Sequence, residues 1–265
     1  MSAEAGRHER KPLGSLAGLD SSDWSPWPLP LMLATTPSTM TEVEHRAAAG
    51  APEGLAVVAE EQTEGRGRRG RTWESAPRAG LWWSLLLRPD VAPSSLGWLP
   101  LVVGVGVAEA IRDNAGVEAR VKWPNDIVVG SPPLKLAGGL AERLGDGSVV
   151  VGVGINVDHA AEELPEAAAS LRSLGCQVDR TGLLVAVLSS VARAYRDWLA
   201  GSDPAAAYAE LSATLGSEVS VDLGDHVVTG VATGLGPSGE LVVSARDSEV
   251  HVVSAGDVTL LRPAP

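Results

Sequence analysis

Four short segments of this chain hold residue types that could do chemistry together. The first is GRGRRGR, Gly65 to Arg71, with four arginines and three glycines in seven residues. Arginine grips phosphate or carboxylate through a planar fork of N–H donors. Glycine lets a backbone wrap a ligand and turn its own N–H groups onto oxyanions. A solvated surface turn is the competing reading. The second segment is VKWPND, 121–126, where Lys122 beside Trp123 puts a cation next to an aromatic plane. That pairing suits a nucleotide, phosphate on one and base on the other, although Pro-Asn-Asp is also ordinary turn chemistry. The third is KLAGG, 135–139. Lys135 is either a strand-end lysine keeping its charge in water or a lone cation in a site, and Gly138 and Gly139 point to close backbone approach. The fourth is GVGIN, 152–156. It looks like half of a dinucleotide fingerprint, but no helix follows it, which argues against that fold.

The elements that must carry these segments follow from periodicity. LAVVAE (55–60) and LWWSLLL (81–87) read as strands flanking the arginine loop. Thr39 followed by Glu42 reads as a capping box opening a helix to about Ala49. Leu99, Val103, Val107 and Ile111 recur every four residues, so 98–115 is expected as a helix with one apolar face. Residues 119–129 read as two short strands around the Pro-Asn-Asp turn, and 135–144 with 148–157 as a hairpin turned by Gly145-Asp146-Gly147. Leu184, Val187, Leu188, Val191, Tyr195 and Trp198 mark a helix over 181–200. Asp203-Pro204 starts another, expected to end near Gly216. From 217 the period changes to two, and five short strands form a small β-barrel appended to a mixed α/β domain. The division expected is a poorly structured arm at 1–30, a catalytic domain at 31–214 and the barrel at 215–265.

Composition narrows the function classes. The 265 residues are 45% hydrophobic and 20% charged, which is the balance of a soluble globular protein. Net charge is -12 at pH 7, so the arginine cluster is a local feature. It suits a small anion better than a nucleic acid, which needs a broad basic face. One cysteine, Cys176, excludes an internal disulfide and a cysteine-based metal cluster. No apolar run reads as long enough to span a bilayer, and the N-terminus has no signal-peptide core, so a cytoplasmic enzyme with no membrane partner is expected.

Taken in order, these segments resemble biotin–protein ligase. The similarity rests on Ser38-Thr39, Gln62 with Gly65–Arg71, Lys122-Trp123-Pro124-Asn125-Asp126, Lys135-Leu136-Ala137-Gly138-Gly139 and Gly154-Ile155-Asn156. It runs from about residue 33 to the C-terminus. The resemblance implies a class-II-synthetase-like mixed β-sheet catalytic domain with a small C-terminal SH3-like β-barrel. It implies a short form, since the chain leaves no room for the winged helix-turn-helix of some members and no DNA partner is expected. It implies that biotin and ATP, with Mg²⁺, form biotinyl-5′-AMP and pyrophosphate. The biotinyl group then passes to a lysine of the biotin carboxyl-carrier domain of a carboxylase.

The same resemblance implies the site. Lys135 and Arg68 match catalytic positions. Ser38, Thr39, Gln62, Arg66, Gly67, Arg68, Lys135 and Gly138 match biotin-binding positions, with Gly139 beside them. Arg68, Arg69, Arg71, Trp73, Lys122, Asn125, Asp126 and Asn156 match nucleotide-side positions, and no metal ligand is assigned. Met40, Glu64 and Gly139 depart from the family pattern, which usually has asparagine, a small residue and a branched aliphatic there. A monomer or weak homodimer is expected. Two other classes are weighed. A lipoate- or octanoyl-transferring enzyme shares the fold but lacks the arginine loop and KWPND. A non-catalytic RNA-binding module could use arginine, glycine and tryptophan, but this chain is acidic.

Overall fold

Twelve strands and four helices, all but the first strand in the order expected from the hydrophobic periods, make up a computed structural model that describes residues 10–16, 27–246 and 249–262. In the first unit the strands are β1 (Leu31–Leu33), β2 (Ala56–Ala59), β3 (Gly80–Leu87), β4 (Arg120–Lys122), β5 (Asp126–Val129), β6 (Leu134–Arg143) and β7 (Val149–Asn156). They form one mixed sheet in the order β1-β2-β3-β7-β6-β5-β4. Only β1 and β2 run parallel; every other pair is antiparallel.

The sheet is covered on both faces, and its central strands read accordingly as near-continuous apolar runs. Helices α2 (Leu99–Ala115) and α3 (Arg180–Leu199) cover one face, against Leu81, Trp83, Leu85, Leu87, Val151, Val153 and Ile155. Helix α1 (Thr39–Ala48) covers part of the other, with Met40, Val43 and Ala47 on Leu86 and Val150. The rest of that second face is left uncovered by helix, and the cavity described below opens there.

The second unit is an antiparallel sheet in the order β11-β10-β9-β8-β12. Its strands are β8 (Glu218–Asp222), β9 (Val227–Leu235), β10 (Leu241–Ala245), β11 (Val250–Val253) and β12 (Asp257–Arg262). Strand β9 alternates exposed and buried residues, the pattern of a sheet with one wet face. Two indoles tie this unit to the first. Trp98 Nε1 donates to Pro237 O at 2.9 Å and Trp123 Nε1 donates to Gly239 O at 3.0 Å.

Several expectations need correction. Strand β1 is too short to carry a period and went unread. Helix α4 (Pro204–Leu211) stops well before Gly216, because the next residues leave the helix to pair with β4: Ala213 N donates to Val121 O at 2.8 Å. The capping box does not form. Ser38 is the N-cap and makes no side-chain cap bond, and Thr39 turns its hydroxyl elsewhere. The stretch Pro93–Ala115 is long and apolar enough by composition to cross a membrane, with mean hydropathy 1.5. In this fold it is a core helix, its Val103, Val107 and Ile111 fully or almost fully buried.

Only part of the arm at 1–30 falls within the described residues. Residues 10–16 and 27–30 are docked on the first unit, with Leu16 and Trp27 buried among core residues. Residues 1–9 and 17–26, including Trp24 and Pro26, lie outside the described residues.

Candidate active site

The uncovered part of the sheet is floored by glycine. Gly138 and Gly154 pair across β6 and β7, and Gly152 lies two residues before Gly154 on the same face. A Cβ at Gly154 would sit 2.6 Å from the Trp73 indole, and one at Gly152 2.7 Å from Met40 Cγ. Side chains here would fill the space that the arginine-loop segment and α1 now overhang. Gly139 also lines the cavity, with its missing Cβ pointing toward Val153 and the carbonyl oxygens of Gly152 and Asn125. The space is a cavity of about 580 Å³, the size of a small-ligand site.

Lys135 reaches the cavity because of a bulge. Ile127 pairs with Ala137 and Val128 with Lys135, so Leu136 is an extra residue in β6. Without it, Lys135 and Gly138, three residues apart, would face opposite sides of the sheet. With it, Lys135 Nζ lies 2.7 Å from Asp126 Oδ1 and 5.0 Å from the centroid of the Trp73 ring. Lys122 shares this cluster. Its ammonium is held below the usual lysine range, mainly by burial and further by Lys135, with Asp126 opposing.

One polar cluster forms the end of the cavity under α1. Gln62 Oε1 accepts from Thr39 N at 2.8 Å and from Thr39 Oγ1 at 2.9 Å. Gln62 therefore caps α1 from a distant loop, the task the capping box was expected to perform. Thr39 Oγ1 is also 2.8 Å from Ser84 Oγ, and Gln62 Nε2 donates to Ser75 Oγ at 2.8 Å. Ser38 is buried beside them. Ser75 and Ser84 carried no signal in the sequence, since lone serines in strands and loops are common.

The arginine loop closes over the opposite end, and its side chains divide. Arg66 bridges Glu44 of α1 at 2.8 Å and Glu142 of β6 at 2.5 Å. Expected as a biotin contact, it lines the cavity and also fastens the loop across the mouth. Arg68 donates to Asn125 Oδ1 and to Gly256 O, both at 3.2 Å. Burial pulls its guanidinium below the usual arginine range, against the opposing pull of Asp257. Arg69 and Arg71 also pair with Asp257, at the start of β12. The backbone turns here through two left-handed residues, Arg69 at φ 55° and Gly70 at φ 72°; glycine takes that conformation without the steric cost an L side chain carries. Gly67 N closes the turn on Arg71 O at 2.7 Å.

Further residues complete the walls. Trp123 is 2% exposed and belongs to the core that carries the barrel, so it is no platform for a base. Asn125 Nδ2 donates to Gly139 O at 2.5 Å and Asn156 Nδ2 to Ala169 O at 3.1 Å; both line the cavity while tying its walls. Trp73, expected over adenine, packs on Gly138 and Gly154. Sequence reasoning missed His159, Glu163 and Asp257, all on the cavity wall. His159 is 5% exposed, stands edge-on to Trp82 at 5.9 Å, and is pushed down to about 4, mainly by burial and then by Arg10.

A mixed sheet with a glycine floor, Lys135 and Lys122 beside Asp126 and an arginine loop over the mouth fits the class of acyl-activating ligases. The chain belongs to the biotin protein ligase family. Residues 32–159 match the Biotin/lipoate A/B protein ligase family and residues 214–261 the Biotin protein ligase C terminal domain. It is 39% identical over 239 residues to the biotin–[acetyl-CoA-carboxylase] ligase of Mycobacterium tuberculosis, covering 87% of this chain and 88% of that protein. It is 37% identical over 177 residues to the bifunctional ligase/repressor BirA of Bacillus subtilis, covering 63% of this chain and only 53% of that protein. The biotin protein ligase of Aquifex aeolicus, solved in complex with biotin and ATP, superposes with a TM-score of 0.77 at 30% identity, over 89% of this chain and 100% of that one.

Proposed function

We propose that this chain is an ATP-dependent biotin–protein ligase. A biotin carboxylate oxygen attacks the α-phosphorus of ATP; the bond to the pyrophosphate leaving group breaks and biotinyl-5′-AMP forms. A carrier lysine amine then attacks the acyl carbon, and the bond to AMP breaks. The observation that supports this best is the meeting of Lys135, the arginine loop and the glycine floor on one cavity.

Each part has a task in that chemistry. The glycine floor accepts a flat bicyclic head once Trp73 moves aside, and the cluster of Ser38, Thr39, Gln62 and Ser84 hydrogen-bonds its polar edge. Adenylation brings two anions together, so fixed positive charge lowers its barrier. Lys135 supplies it at the reacting oxygens, with Lys122 beside it; Asp126 pairs with Lys135 until substrate arrives. Arg68 covers the mixed anhydride and excludes water, which would hydrolyse it. Arg69, Arg71, Trp73, Asn125 and Asn156 stand on the nucleotide side.

Mg²⁺ fits this site as a companion of the triphosphate. No group of three or more His, Cys, Asp or Glu converges among the described residues, and Asp126 stands as a single carboxylate between cations. That suits an ion that keeps its waters and leans on phosphate oxygens. When bound it neutralises phosphate charge.

The carrier domain is the second partner. Such carriers are usually acidic, as this chain is, so long-range attraction cannot steer them together. Recognition rests on backbone pairing at the β1 edge of the large sheet, since residues 212–214 already pair along β4, and carrier labelling should depend weakly on salt. The reading includes a cytoplasmic enzyme, monomeric or weakly dimeric, that binds neither DNA nor membrane. Acid selectivity tests the function: biotin should label a carrier peptide in the presence of ATP, and lipoate or octanoate should not. Equal labelling by the other acids would overturn the reading.

A further inference from the structure

We propose that residues 10–16 form a positioning strap for the active site, and that Arg10 is a positioning residue acting on Lys135. The inference rests on the ligase reading above for its kinetic part only.

The strap is anchored at each end and along its length. Arg10 pairs with Glu163 and its Nε donates to Asp158 O at 3.2 Å. Lys11 O accepts from Arg180 Nη2 at 2.6 Å. Leu13 N donates to Glu60 Oε1, and Gly14 N donates to Thr181 Oγ1 at 2.8 Å. Leu16 closes it by entering the core. Under the strap lies Arg180, only 4% exposed, paired with Glu60 at 2.8 Å and donating to Gly80 O at 2.9 Å. A buried guanidinium must have its donors met, and the Lys11 carbonyl meets one of them. The strap thus completes a buried ion pair as well as covering it.

From the strap a continuous path leads to the chemistry. Glu163, held by Arg10, accepts from Ala160 N at 2.7 Å and fixes the turn over 160–163. His159, Glu163, Leu164, Pro165 and Ala168 line the cavity. The same segment then clamps Lys135 by its backbone: Lys135 N donates to Ala167 O at 2.8 Å, and Ala169 N donates to Lys135 O at 2.9 Å. Lys135 is therefore held between Val128 on one side and the 159–169 wall on the other. Loosening Arg10 loosens that wall and lets the Lys135 ammonium wander from the reacting oxygens. Small misplacements of such a group cost much more rate than stability.

The pair between Arg10 and Glu163 is partly exposed, so its own contribution to stability is small. That separates the two roles by experiment. In the full chain, Arg10→Ala should slow single-turnover formation of biotinyl-AMP by about tenfold, with the melting temperature shifted by no more than about 2 °C. Arg10→Lys, which keeps the charge opposite Glu163, should recover part of the rate. Amide exchange over 157–169 should rise in Arg10→Ala without any ligand present. Unchanged exchange over 157–169 would overturn the proposal. So would a rate within twofold of the wild type, or one lost only in step with a falling melting temperature. If the wild-type chain itself forms no biotinyl-AMP, the ligase reading fails, and the exchange measurement still decides the strap.

Discussion

Lys135 meets Asp126 at 2.7 Å across two strands only because Leu136 bulges out of their ladder. The pair sets an anion on the amine that, in the proposed reaction, must serve the substrate's anions instead. Lys135→Ala should therefore leave the fold intact and cut adenylation by roughly 10²–10³-fold, the usual effect of removing one preorganised charge contact. Single-turnover adenylation at saturating biotin and ATP is the check. A variant within a few-fold of wild type would remove Lys135 from the mechanism.

Asp257 gathers Arg68, Arg69 and Arg71 to the rim of the barrel. Arg68 has two further acceptors, Asn125 and Gly256 O. Arg68→Gly should release biotinyl-AMP into solution faster than it reaches a carrier, because the lid loses its charge-assisted contacts. Filter-binding retention of the adenylate measures this, and unchanged retention would show that the loop is not a lid.

Gly154 faces the cavity beneath Trp73. Gly154→Val should displace the indole and fill the floor, abolishing measurable biotin binding while costing about 1–3 kcal/mol of stability, the range for an overpacked site. Titration calorimetry with biotin and thermal melts separate the two effects. Wild-type biotin affinity in this variant would mean the acid binds elsewhere.

His159 is held neutral well below the ordinary imidazole range, down to about 4. Unfolding returns it to about 6.5, so between those values the unfolded chain binds a proton that the folded chain refuses. Its share of stability is whole above about 6.5 and is lost progressively as pH falls toward about 4. His159→Gln should flatten that part of the stability–pH curve. Denaturant melts from pH 7 to pH 4 that show the same slope in both proteins would contradict the assignment.

Period and composition made much of this molecule legible. Alternation in β9, the four-residue apolar repeat of α2 and the glycine-bearing hairpin of β6 and β7 follow from local physics and stand where they were expected. What was not legible depends on partners distant in sequence. Nothing local marks the bulge at Leu136, yet it decides which face Lys135 takes. Trp123 looks like a base platform until the Gly239 carbonyl, 116 residues away, is known to hold its indole. Arg66 and Arg68 are alike in sequence, but Glu44 and Glu142 claim one while Asn125 and the barrel claim the other. The polar stretch at 10–16 reads as loose because its partners, Glu60, Asp158, Glu163 and Arg180, all come later in the chain.

The central claim is that this cavity activates biotin on ATP. Mass spectrometry of the protein after incubation with biotin, ATP and Mg²⁺ tests it most directly. The account predicts biotinyl-5′-AMP bound to the wild-type chain, released on denaturation, with pyrophosphate formed in equal amount and both products appearing far more slowly with Lys135→Ala. A wild-type chain that yields no adenylate under these conditions, while melting as a folded protein, would contradict it.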